Sequence, residues 1–132
     1  MTSDLARARA SADRLAPGRS IRVSPLLREM PLEIPPWLPA RWPLLVWEAC
    51  IHVHWLIKER RGSIAEVAEL RRAADAVALL EDVSRDAPTV VVVTHGAFRR
   101  LLALQLAATG WTSDPRAGGY RNWSAWPFRR PA

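Results

Sequence analysis

Thr89-Val90-Val91-Val92-Val93-Thr94-His95-Gly96 is the stretch on which the fold turns. An unbroken β-branched run of this kind reads as a parallel strand covered on both faces, because such a strand buries both of its alternating side-chain rows. His95-Gly96 then turns the chain into a helix predicted over 97–108, with Gly110 placed as its C-terminal cap. The order strand, His-Gly, helix sets an imidazole at the carboxyl end of a strand, beside the free amides of a helix N-terminus. That is a ready anion site. Gly96 lets an anion oxygen come close to the backbone.

Working back from this stretch, Pro88 ends a helix that starts at the capping box Ser63 and Glu66. It runs to about Arg85 with Ile64, Val67, Leu70, Ala74, Val77 and Leu80 at helical spacing. Further upstream, Ser3 is a good N-cap for an amphipathic helix carrying Leu5, Ala8, Ala12 and Leu15, which Pro17 and Gly18 stop. Ser20–Val23 reads as a brief strand, and Ser24–Pro43 as a long connection whose proline density excludes a regular helix or central strand. A helix is predicted over Pro43–Lys58, ended by Arg60-Arg61-Gly62. Downstream of Gly110, residues 113–119 read as loop and Arg121–Phe128 as an edge strand. The inventory predicts an α/β chain, a single domain over 1–132. It also leaves a shortage: a doubly covered parallel strand needs neighbours on both sides, and only Ser20–Val23 and Arg121–Phe128 are available. A sheet member is expected to be missing, and the open flank of Val90–Val93 is expected to favour self-association.

The 132 residues are near the size of one domain, and 49% apolar with 24% charged residues is the composition of a folded chain. The lone Cys50 excludes an internal disulfide and suits a reducing, cytoplasmic setting. No secretory signal is expected, because Asp4, Arg7, Arg9, Asp13 and Arg14 stand where its apolar core would be. Trp42–Ile57 is apolar but short and holds Glu48, His52 and His54, so it reads as a buried helix and not a membrane span. The net charge of +6 is concentrated C-terminally, where residues 97–132 hold six arginines against Asp114. With no recognised binding motif beside it, this charge does not call for a nucleic-acid partner.

Three positions stand out besides His95. Arg7 lies on the polar face of its helix with Ser11 and Arg14; Glu29, in Leu26-Leu27-Arg28-Glu29-Met30, follows the end of a short strand; Gly96 opens the helix after His95. Glu48, Cys50, His52 and His54 do not make a metal site, since His52 and His54 point to different helix faces and no HExxH occurs. Trp37 and Trp42 are candidates for a substrate lid, although packing is the commoner use of tryptophan. No glycine spacing of a nucleotide P-loop is present.

Taken in order, three segments resemble the histidine phosphatase superfamily, the phosphoglycerate mutase-like group. Ser3-Asp4-Leu5-Ala6-Arg7-Ala8-Arg9-Ala10-Ser11-Ala12 is similar to its Ser-Asp-Leu-x-Arg-Ala-x-x-Thr-Ala helix start, Leu27-Arg28-Glu29 to its Leu-x-Glu acid motif, and Val90–Gly96 to its second-histidine strand. The resemblance implies a three-layer α/β/α sandwich hydrolysing phosphomonoesters through a phosphohistidine, without metal or cofactor. It further implies that Arg7 holds the phosphoryl group, Glu29 protonates the leaving oxygen and His95 polarises the phosphoryl oxygens. The partner would be a phosphorylated small molecule or inorganic phosphate. The family's nucleophile lies in an N-terminal strand ending Arg-His-Gly. That motif is absent here, the histidines being His52, His54 and His95. The chain is therefore expected to lack a first βα unit and to be inactive alone, leaving an anion- or partner-binding module as the alternative.

Overall fold

The computed structural model describes residues 1–31, 34–39, 41–61, 67–113, 118–119 and 121–130. The chain divides into two compact units, Met1–Met30 with Leu70–Ala132, and Pro31–Glu69. Helix dominates: α1 spans Ala6–Leu15, α2 Leu44–Arg60, α3 Val67–Asp86 and α4 Gly96–Ala108, with a single 3-10 turn at Pro25–Leu27.

The three-layer α/β/α sandwich does not form. The strands among the described residues are β1, Thr112–Ser113, and β2, Phe128–Arg129, paired antiparallel with Thr112 opposite Arg129. The valine run is extended, but among the described residues it pairs only through a parallel bridge between Thr2 and Val93, and Thr2 bridges in parallel to Val23 on its other side. Met1–Ser3 thus lies between the two segments read as strands, donating and accepting in both directions (Ser3 N–H to the Val93 carbonyl at 3.0 Å, Thr2 N–H to the Arg22 carbonyl at 2.9 Å). It is too short to carry a ladder, because the chain enters α1 three residues later. Ser20–Val23 accordingly shrinks to a bridge at Val23. The valine run is not covered on both faces either: Val91 is 61% exposed. At the C-terminal end, Trp123 takes a left-handed turn conformation (φ 65°) that breaks the expected Arg121–Phe128 strand, and what remains pairs with β1 instead of the valines.

The helices follow the sequence more closely. α4 begins at Gly96, one residue earlier than expected, and ends in a Schellman motif: Gly110 is left-handed (φ 88°), its N–H reaches the Ala107 carbonyl, and the Trp111 N–H reaches that of Leu106. α3 extends to Asp86, while the capping box Ser63 and Glu66 lies outside the described residues. α1 is capped at Leu5 and not at Ser3, with no side-chain cap bond. Ser3 is instead drawn inward, for a reason the site makes plain.

The core of the first unit is built where these helices meet. Its buried side chains include Ala8 and Ala12 of α1, Ala73 and Ala76 of α3, Phe98 and Leu101 of α4 and Leu27 of the 3-10 turn. Each such Phe or Leu contributes about 1.5–3 kcal/mol by leaving water. In the second unit, the Pro43 carbonyl accepts the first turn of α2 from Val46 and Trp47, and the Trp47 indole donates to the Pro39 carbonyl at 2.8 Å. Among the described residues no helix is long and apolar enough to cross a membrane.

Candidate anion site at the start of helix α4

His95 is the N-cap of α4 and is buried at 7% exposure. The Arg7 Nε–H donates to its Nδ1 at 3.1 Å, across 88 positions of sequence. A nitrogen that accepts carries no proton, so the proton of the neutral ring is on Nε2, which faces the Ser3 hydroxyl at 3.0 Å. Ser3, fully buried, also accepts from the Leu5 N–H at 3.3 Å. This is why it does not cap α1: its oxygen is spent on fixing the imidazole. Burial holds the His95 pKa below the ordinary histidine value, and the nearby Arg7 and Arg72 charges push the same way, while Glu29 and Asp4 oppose them.

Glu29 reaches the same place from the other side. Its Oε1 accepts from the Phe98 N–H at 3.0 Å, in the first turn of α4, and from its own neighbour Met30 at 3.1 Å. A carboxylate here satisfies one of the orphan amides and sits favourably against the helix dipole. The chain's own acid therefore occupies part of the anion position expected at this helix start, while Oε2 has no hydrogen-bond partner among the described residues. Gly96 is exposed, and a Cβ placed on it would meet open space, so nothing within the described chain requires a glycine there.

The three residues singled out in the sequence are thus brought together around one helix N-terminus, with Gly96 in its first turn. Sequence reasoning missed the residues that hold them. Arg72 of α3 donates through Nη1 to the Leu26 and Arg28 carbonyls at 2.9 and 2.8 Å, and its guanidinium lies 4.1 Å from the centre of the Phe98 ring. The Thr94 hydroxyl donates to the Leu27 carbonyl at 2.8 Å, and Arg28 forks onto the Asp4 carboxylate with bonds of 2.8 and 2.9 Å from Nε. Together these bonds fix the loop that delivers Glu29. The only advance signal was position, since Asp4 and Thr94 lie inside the quoted motifs; Arg72, off the apolar stripe of its helix, gave none.

His52 is turned onto its own helix, with Nδ1 2.7 Å from the Glu48 carbonyl, and no group of three His, Cys, Asp or Glu among the described residues could hold a metal. Trp37 and Trp42 are exposed, at 59% and 45%. Of the C-terminal arginines, Arg99 is occupied structurally: it donates to Ser124 and to the Gly119 carbonyl and stacks 4.4 Å from the Trp126 ring. The chain matches no family model, no curated protein and no solved structure.

Proposed function

We propose that this chain binds a phosphate group, free or on a small phosphomonoester, at Arg7, His95 and Gly96, with Glu29 beside it, in the manner of the histidine phosphatases it resembles. The reading rests on the side chains and not on the architecture, which departs from that family's sandwich. The observation that carries it is the 3.1 Å Arg7–His95 bond with Glu29 held one helical turn away. Arg7 is exposed and spends only Nε on the imidazole, so its two terminal nitrogens can fork onto phosphoryl oxygens. An arriving dianion would draw the guanidinium towards itself and favour a proton on His95 Nδ1, giving two cationic donors to one group. Oε2 of Glu29 would stand beside the ester oxygen, and could act as its acid only after taking a proton from solvent.

The covalent step has no carrier in these 132 residues. Both nitrogens of His95 are engaged, and no Arg-His-Gly occurs. We therefore read the chain as a binder without turnover, in a reducing compartment such as the cytoplasm. Incubation with p-nitrophenyl phosphate tests this. The expected outcome is binding that inorganic phosphate displaces, with no p-nitrophenol released. Steady release that disappears in His95→Ala would make His95 the nucleophile and contradict the reading, and failure to bind millimolar phosphate would remove the site altogether.

A further inference from the structure

We propose that the groove along Val90–Val93 is a peptide site that takes one extended apolar segment with acidic flanks as an added strand. This goes beyond the phosphate site, whose Arg7, Glu29, His95 and Gly96 line the same groove, and it does not require that phosphate binds. In an extended chain the N–H and C=O of one residue point to the same side, and the side alternates from residue to residue. The Val93 amide donates to the Met1 carbonyl and its carbonyl accepts from Ser3, both at 3.0 Å, and the Val91 carbonyl accepts from the Met1 ammonium at 2.7 Å. The odd-numbered valines therefore face Met1–Ser3. The peptide groups of Val90 and Val92 face the opposite way, where no described residue pairs with them.

That flank opens on a groove of about 1340 Å³. Its lining includes apolar side chains of three helices, among them Ala8 and Leu15 of α1, Leu80 of α3, and Leu102 and Leu106 of α4, together with the segment Arg121–Arg130. The charge of the lining selects further. It includes Arg7, Arg121, Arg129 and Arg130, and Glu29 is the one carboxylate among the described lining residues. Strand addition gives main-chain bonds to any sequence, so the apolar walls and cationic rim supply the discrimination.

The test uses the full chain and blocked heptapeptides of alternating Val and Thr, flanked by Asp or by Lys, with amide exchange followed residue by residue. The Asp-flanked peptide is expected to protect the Val90 and Val92 amides and leave Val93, already bonded, unchanged. The Lys-flanked peptide is expected to bind about tenfold more weakly, the scale of a few rim charges reversed. Val92→Pro removes a groove-facing amide that the fold does not use and should abolish binding. If that variant fails to fold, N-methylation of alternate peptide amides removes the same bonds from the other partner and should do likewise. Equal affinity for the two peptides, or bound peptide without protection at Val90 and Val92, would overturn the proposal. Protection that rises with protein concentration alone would assign the edge to a second copy and overturn it too.

Discussion

His95 accepts a hydrogen bond from a guanidinium, and that fixes its resting state as the neutral ring with the proton on Nε2. Burial first, and Arg7 and Arg72 after it, favour this neutral form, so the folded-state pKa lies below the ordinary value of 6.5. The unfolded chain then binds the proton more readily than the folded one. The contribution of His95 to stability is therefore full above about pH 6.5 and falls as pH drops from there towards the folded pKa. A series of denaturant melts should show this slope, and His95→Gln should flatten it; an unchanged slope in the variant would assign it to other groups. Gly96 makes a second test at this scale. Because a Cβ there meets open space in a helical turn, Gly96→Ala is expected to raise stability by about 0.4–1 kcal/mol while weakening phosphate binding, which needs that space. Stability and affinity moving in the same direction would show that the glycine serves the fold alone.

At the scale of elements, the Glu29 loop is regular only over the 3-10 turn Pro25–Leu27 and is otherwise pinned by side chains. Arg72 supplies two charge-assisted bonds to its carbonyls, each worth about 1.5–3 kcal/mol in protected surroundings and less where water competes. Arg72→Met keeps the stem over Phe98 and removes the fork. It is expected to cost about 1–3 kcal/mol in a chemical melt and to speed exchange of the Phe98 amide, since Glu29 would no longer be held against it. Loss of stability with an unchanged Phe98 amide would mean that the loop positions Glu29 without Arg72. The helices were legible because each carries its own signal: α3 and α4 show apolar spacing, and Gly110 stands where a Schellman motif needs it. The strands were not, because strand identity lies in partners. Four consecutive valines announce an extended conformation, yet among the described residues only Met1–Ser3 pairs with them, and Trp123 interrupts the C-terminal segment.

Across the whole molecule, the grouping of the candidate residues was more legible than the architecture. Arg7, Glu29 and His95 are separated by up to 88 positions, and ordered motifs placed all three in one neighbourhood, while the same motifs implied a sandwich that does not form. What could not be read was the supporting set, because Ser3, Arg72 and Thr94 act through hydrogen bonds that only the folded chain creates. The proposed function requires that Arg7 and His95 form one anion site at the start of α4. Sulfate probes it cleanly, having no titration of its own near neutral pH, and the ring nitrogens of His95 report by nitrogen NMR. Titrating the chain with sulfate just below neutral pH is expected to move Nδ1 from an acceptor to a protonated signature and to raise the His95 pKa. Arg7→Ala is expected to weaken that response by about 1–3 kcal/mol, or roughly 5- to 150-fold in affinity. Sulfate saturating elsewhere with both His95 nitrogens unmoved, or an undiminished response in Arg7→Ala, would contradict the shared site and the function built on it.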